Sequence, residues 1–356
     1  MNNQNKIDLL SLDQSELSAF FESIGEPKYR AKQLFSQMHK GLCIEEITNI
    51  SKATKAKIAE VGRYSFPKIE LKLTSAIDGT VKYLFMLEDG NSIESVVMRY
   101  EHGITICISS QVGCLMGCKF CASTIDGKVR DLVPSELLGQ IIAAERDLGE
   151  RISNVVMMGI GEPLDNYKNV IKFLKLVGDP DGLNIGYRHI SLSTCGIVPK
   201  IHELAEENFP ITLSISLHAS NDEKRSEIMP VNKAYPISEL LDACSAYYKK
   251  TGRRISFEYT LISGKNDSVK DAEELAKLLN GKLRTRESTM PIHVNLIPVN
   301  EVSERDFVHS RKKAVLAFAT TLKKRGIRAT VRRKLGSDIN ASCGQLRRSS
   351  MKNTEN

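Results

Sequence analysis

The chain has 356 residues, of which 41% are hydrophobic and 26% charged, a globular composition long enough for one large or two modest cores and incompatible with a short peptide module or a wholly disordered tail. No apolar run approaches the roughly 18–20 residues of a membrane span, and the polar start has no signal-peptide layout, so a soluble cytoplasmic protein with no membrane partner is expected. Fifty Lys and Arg against 43 Asp and Glu give a net charge of +7, a mild basic excess that suits an anionic partner without requiring one.

In chain order, residues 13–62 carry a basic helical pattern, for example Glu16-Leu17-Ser18-Ala19-Phe20-Phe21 and Tyr29-Arg30-Ala31-Lys32-Gln33-Leu34-Phe35. This predicts a small helical accessory domain over 1–65. Between 66 and 99, short alternating runs are broken by Asp78-Gly79 and Asp89-Gly90, the strongest short-range hairpin signal, and a β-hairpin linker is expected there. From about 100, β-rich runs near 104–108, 153–158, 188–193, 211–217, 255–262 and 292–297 alternate with amphipathic stretches. Six such units predict an α/β fold, a partial parallel (β/α)6 barrel over 100–335. A last helix (about 306–325) leads to a strand near 327–333. The segment 336–356 contains Cys343 and ends in a polar tail expected to be disordered from Arg347.

A parallel barrel builds its site from loops at the carboxyl ends of its strands. The distinctive residues fall there: Cys114, Cys118 and Cys121 after the first strand, Gly159-Ile160-Gly161-Glu162-Pro163 after the second, Ser193-Thr194 at the third, Ser216-Leu217-His218 at the fourth and Asn300 past the sixth. Of the eight cysteines, the three in Cys114-Leu115-Met116-Gly117-Cys118-Lys119-Phe120-Cys121 form a CxxxCxxC loop, three soft thiolates able to hold one compact centre. A structural zinc wants four closed ligands, and no fourth Cys or His stands at finger spacing. Three thiolates leave one iron of a four-iron cluster open. Read alone, Gly161-Glu162 is a turn, His218 a strand-end histidine, Cys107 a buried strand cysteine and Glu94 an exposed strand carboxylate.

The motif, with Phe120 before its third Cys, resembles the radical S-adenosylmethionine (SAM) superfamily. Ser109-Ser110-Gln111-Val112-Gly113-Cys114, Met157-Met158-Gly159-Ile160-Gly161-Glu162-Pro163-Leu164, Ser214-Ile215-Ser216-Leu217-His218-Ala219, Val294-Asn295-Leu296-Ile297-Pro298-Val299-Asn300 and Cys343-Gly344-Gln345-Leu346 resemble the RlmN family of adenine C2 RNA methyltransferases. The likeness covers nearly the whole chain. It implies a [4Fe–4S] cluster on Cys114, Cys118 and Cys121, and SAM contacts from Gly161, Glu162, Ser193, Ser216, Leu217, His218 and Asn300. The same resemblance makes Cys343 a methyl carrier, with Cys107 as resolving thiol and Glu94 as base. As substrates it implies adenine 2503 of 23S rRNA and adenine 37 of some tRNAs, and as electron donor a flavodoxin-type carrier. The basic runs Arg311-Lys312-Lys313, Lys323-Lys324-Arg325, Arg332-Arg333-Lys334 and Arg347-Arg348 suit RNA phosphates.

Three alternatives stand beside this reading. One is the related C8 methyltransferase group that confers antibiotic resistance, against which Val112, Pro163 and Asp165 argue. The others are a zinc-stabilised, non-catalytic RNA-binding protein and a radical SAM enzyme acting on protein. Asn340, Ser342 and Cys195 depart from the family's usual Asp, Ala and Ser, and the extra thiol at 195 is expected to be oxidation-sensitive.

Overall fold

Helix starts are set by local capping chemistry. In the computed structural model, which describes residues 6–285, 288–300 and 306–341, α1 (Gln14–Ser23) begins where the Asp13 carboxylate accepts the N–H groups of Ser15 and Glu16, while Glu16 accepts from the Asp13 N–H. α2 (Tyr29–His39) follows, and Ser51 caps α3 (Lys52–Val61) by accepting from the Thr54 N–H. The accessory helices share the core of the rest of the chain. Leu17, Phe20, Phe21, Leu34, Phe35 and Met38 are buried in the same apolar cluster as Leu137 and Ile141 of α4 (Pro134–Leu148).

Three antiparallel strands come next: β1 (Lys68–Thr74), β2 (Val81–Met86) and β3 (Ser92–Tyr100), with Asp78-Gly79 and Asp89-Gly90 at the two turns. β3 pairs antiparallel with β4 (Gly103–Cys107), so these hairpins are continuous with the sheet that follows. From β4 onward every neighbour is parallel: β5 (Asn154–Met157), β6 (Ile190–Thr194), β7 (Thr212–Ser216), β8 (Ile255–Leu261), β9 (Ile292–Pro298) and β10 (Arg328–Val331). The ten strands lie in strict sequence order across one sheet. The connecting helices are α4, α5 (Tyr167–Val177), α6 (Val198–Glu206), α7 (Asp222–Ile228), α8 (Ile237–Thr251), α9 (Val269–Leu283) and α10 (Lys312–Lys324). Among the described residues β4 and β10 do not pair, yet Thr105 and Thr330 line one cavity. The parallel strands therefore curl into an incomplete barrel with an accessible interior.

Strand alternation fixes what that interior contains. On β8, Phe257, Tyr259 and Leu261 belong to the apolar cluster, whereas Glu258 and Thr260 line a cavity. β7 repeats the pattern, with Leu213 and Ile215 in the core and Ser216 on the cavity. The last helix starts at Lys312 rather than near 306, because Val308 and His309 bond to the loop after β8 through Ser263 N–H to Val308 O and an Ile262–His309 bridge. Among the described residues, no helix is long and apolar enough to cross a membrane.

Candidate active site

Cys114, Cys118 and Cys121 line one cavity of about 220 Å³ at the carboxyl ends of the parallel strands, together with Gly161, Glu162, Ser193, Ser216 and His218. Local bonds shape the cysteine loop: the Cys114 N–H donates to Gly127 O at 2.9 Å, the Lys119 N–H to Ile228 O at 2.9 Å, and the Thr124 hydroxyl to Cys118 O and Cys121 O, each at 3.0 Å. Burial pushes the Cys114 thiol up to about 12, reinforced by Cys121 and Glu162. Burial also pushes Cys118 well up, followed by repulsion from Cys121 and Cys114. The raised Cys114 and Cys118 thiols disfavour becoming anions side by side, and a cationic multi-iron centre would remove that conflict. Among the described residues, no three metal-binding side chains converge on a point that would hold a single ion. The Ser123 hydroxyl, on the same cavity, is buried with no hydrogen-bond partner among the described residues, an orphan polar atom facing ligand space.

The loop after β5 is pressed onto the loop after β4. Gly161 has φ +105°, and a Cβ there would sit 2.6 Å from Gln111 Cβ and 2.7 Å from both Gln111 N and Ser110 Oγ. Both the backbone conformation and the close approach demand glycine. Next to it, Glu162 is buried and already organised: one carboxylate oxygen accepts the Cys195 N–H at 2.7 Å, the other the Leu164 N–H at 3.0 Å. Burial still pushes its carboxyl up, against the lowering effect of those bonds.

His218 sits at φ +57°, edge-on to Phe120 with ring centroids 4.9 Å apart. Its Nδ1 accepts the Thr260 N–H at 2.9 Å, so the neutral ring carries its proton on Nε2. Burial, then the nearby Arg225, lowers its pKa to about 3, which keeps it a neutral donor.

Glu94 and Cys107 lie beside this cavity rather than on it. Cys107 packs with Val96, Met98 and Met158, and Met158 also lines the cavity. Its thiol is pushed up by burial, offset in part by Arg332. Glu94 is buried in an ion pair with Lys82 at 3.0 Å, and the Lys82 ammonium also donates to Asn340 O at 3.1 Å. The segment ending at Ala341 is tied to the hairpins again by Ser75 Oγ to Asp338 at 2.7 Å and Gly336 N–H to Asp78 at 2.8 Å, and Ala341 packs against the Cys107 group. Cys343 and the tail from Arg347 lie outside the described residues.

Of the residues expected to contact SAM, Leu217 and Asn300 are not among those lining this cavity. The Leu217 side chain continues the outward alternation of β7 into the core, its N–H donates to Glu258 O, and its carbonyl accepts from Arg225 Nε. Asn300 is exposed two residues beyond β9 and does not line the cavity. Cys195 does line it, and burial followed by repulsion from Glu162 pushes its thiol well up, a setting that opposes the expected oxidation sensitivity. Three further residues were not singled out from sequence. Glu258 and Thr260 carried a signal, polar side chains at period two in a covered strand. Arg225 carried none: its fully buried guanidinium donates to the carbonyls of Cys195 at 2.6 Å, Ser216 at 3.1 Å and Leu217 at 3.1 Å, clamping the ends of β6 and β7 around the cavity.

Comparison with known proteins matches residues 108–279 to the radical SAM superfamily and residues 7–63 to the ribosomal RNA large subunit methyltransferase N-terminal domain. The chain is 55% identical, over 98% of its length and 99% of the relative's, to a probable dual-specificity RNA methyltransferase RlmN of Alkaliphilus oremlandii (strain OhILAs). It is 51% identical to a protein of the same description from Clostridioides difficile (strain 630), over 96% of this chain and 98% of that one. Among solved structures, a radical SAM methyltransferase from Sphaerobacter thermophilus superposes with a TM-score of 0.89 at 40% identity, covering 95% of this chain and 98% of that one.

Proposed function

Because the chain belongs to the RlmN family of radical SAM RNA methyltransferases, we propose that it methylates C2 of an adenine in 23S rRNA and in tRNA, with Cys343 as methyl carrier, Cys107 as resolving thiol and Glu94 as base. The enzyme's cofactors are a [4Fe–4S] cluster and SAM, and its substrate is RNA. Cys114, Cys118 and Cys121 would hold the cluster, which when bound supplies the electron that cleaves SAM to a carbon radical. A flavodoxin-type protein is the proposed electron donor.

C2 of adenine lies between two ring nitrogens and is not nucleophilic, so direct displacement from a sulfonium does not reach it. The chain's residues divide the remaining work. The Cys343 sulfur would take a methyl group from one SAM, and that methyl group would lose a hydrogen atom to the radical from a second SAM, so that its carbon bonds to C2 and joins protein to RNA in an adduct that gives back one electron. Glu94 accepts the C2 proton, and Cys107 attacks the Cys343 sulfur and breaks its bond to carbon; the carbon takes up a proton as the RNA leaves, and the two sulfurs end as a disulfide. Glu162, Ser193, Ser216 and His218 would orient SAM, Glu162 accepting from its ammonium and neutral His218 donating from Nε2. The observation that carries this assignment is the docking of residues 336–341: Lys82 bonds both Glu94 and Asn340, and Ala341 packs on Cys107, so the chain leads toward the proposed carrier from beside its two partners. The accessory domain (1–65), hairpins (66–99), barrel (100–335) and carrier segment (336–356) are the proposed functional divisions.

The test is mass spectrometry of nucleosides from 23S rRNA and tRNA lacking the modification, after anaerobic incubation with cluster-loaded protein, reductant and methyl-deuterated SAM. Deuterated 2-methyladenosine is expected, and is lost in Cys343→Ala. 8-Methyladenosine would move the chain to the C8 group. SAM cleavage without any methylated adenosine would refute the substrate.

A further inference from the structure

The barrel interior does not end at the cysteine loop. Toward the amino-terminal ends of the strands it continues as a second cavity of about 780 Å³, and Met158 and Arg332 line both. Its walls mix apolar residues such as Met98, Val155 and Ile190 with polar side chains of the strands, among them Asn154, Ser191 and Asn295. Arg188, Arg254 and Arg333 stand exposed around it, and none of the three, nor Arg332, has an ion pair among the described residues. Among the described residues the only carboxylate on the lining is Glu101, while the lining Arg99 is neutralised by Glu150 at 2.5 Å. Tyr100 and His102 lie at the same mouth with rings stacked 5.2 Å apart and 13° from coplanar.

Unneutralised guanidinium groups around a polar passage repel one another and favour an anionic occupant. The chain's own residues 342–356 do not fit that need, since Arg347, Arg348 and Lys352 outnumber Glu355. At the opposite end of the barrel, the cysteine loop and the Phe120–His218 contact occupy the cavity wall. A base reaching the reaction centre needs a route that is wide and continuous with that centre, and the second cavity has both properties.

We propose that the target nucleotide enters the barrel through this second cavity, with the flanking phosphates of a single-stranded RNA segment held by Arg188 and Arg254, which lie just before the amino-terminal ends of β6 and β8, and by Arg333, just past the carboxyl end of β10. The inference rests on the RNA methyltransferase reading and adds to it the face that receives RNA. Arginine forks match phosphate oxygens bidentately, and the stacked Tyr100–His102 pair offers a ring surface to an unstacked base.

The test reverses the three charges together (R188E/R254E/R333E) in the anaerobic, cluster-loaded enzyme, using unmodified tRNA and a 23S rRNA fragment as probes. R188Q/R254Q/R333Q serves as a milder second set. All three side chains are exposed, so iron content and RNA-independent SAM cleavage should stay within twofold of the parent. RNA affinity should fall at least 30-fold on charge reversal. The slope of log K against log salt should shrink by about 2 in the Gln set, since each single-strand phosphate contact contributes roughly 0.7. The KM for RNA should rise more than kcat falls. Reversing three exposed lysines on α10 (K312E/K313E/K323E) should cost under a tenth of that affinity loss. Affinity within threefold of the parent, or equal losses from both sets, would overturn the proposal. If the parent cleaves SAM but neither binds nor methylates RNA, the underlying functional reading falls, whatever the variants do.

Discussion

Replacing Gly161 by alanine separates the two physical demands made on the loop that carries Glu162. The φ of +105° is a region L-residues occupy only under strain, a cost of about 1–3 kcal/mol. The new Cβ would also lie 2.6 Å from Gln111 Cβ and 2.7 Å from Gln111 N, and overpacking against backbone costs a further ~1–3 kcal/mol. The sum is about 2–6 kcal/mol. With a urea m-value of about 3 kcal/mol/M, the midpoint should fall by roughly 0.7–2 M. Two other glycines isolate the components. Gly264 has φ +72° and open space, with nothing within 4 Å of the position a methyl would take, so Gly264→Ala should cost only the backbone term, about 1–2 kcal/mol. At Gly159, where φ is ordinary, a Cβ would sit 2.5 Å from Ile108 O, so Gly159→Ala should cost only the steric term, about 1–3 kcal/mol. Anaerobic urea unfolding followed by circular dichroism measures all three. SAM affinity should fall in Gly161→Ala, because the Glu162 N–H that donates to Gln111 Oε1 at 2.9 Å must shift with it. A cost for Gly161→Ala no greater than that of Gly264→Ala would refute the reasoning.

Burial raises the Glu258 carboxyl, so its support for the fold is fully present below the unfolded value of about 4.3 and is lost as pH rises through the folded value. Glu258→Gln can keep its bonds to Asn295 and Ser256, and its stability relative to the parent should therefore increase as pH rises above the unfolded value of about 4.3; a pH-independent difference in urea midpoints would sink this account. His218, held neutral with a pKa of about 3, should show no titration between pH 5 and 8 in histidine-selective NMR spectra, and a midpoint inside that range would contradict the buried Nδ1 acceptor geometry. Cys195→Ser should leave the rate of oxygen inactivation unchanged, because burial keeps that thiol protonated; a marked slowing would place the reactive thiolate there after all. Lys82→Met should slow resolution of the protein–RNA adduct more than it slows SAM cleavage, and denaturing gels that detect no accumulated adduct would argue against that role.

Much of the architecture was legible in local pattern. The seven parallel strands fall within a few residues of their expected places because β-rich runs bounded by polar and glycine-containing segments report strands directly, and both Asp-Gly pairs mark real turns. The CxxxCxxC loop and most of the strand-end residues meet on one cavity, since a parallel barrel brings the carboxyl ends of its strands together. Even the outward placement of Leu217 was implicit in the alternation Leu213, Ile215, Leu217.

Other features depend on contacts that sequence proximity does not encode. Arginine is ordinarily exposed, and only the convergence of β6, β7 and α7 surrounds Arg225 with carbonyls that satisfy a buried guanidinium. A basic run such as Arg332-Arg333 reads as a solvated face until curling of the sheet sets it opposite Arg188 and Arg254. Lys82 and Asn340 are 258 positions apart and meet because the antiparallel strands extend the barrel sheet to where the chain returns after β10. Residue types and periodicity thus determined the elements, their faces and the chemistry of the cysteine loop. The closing of the sheet decided which charges are buried, which face one another and which open onto the barrel interior, because burial and electrostatic partnership are properties of three-dimensional neighbours.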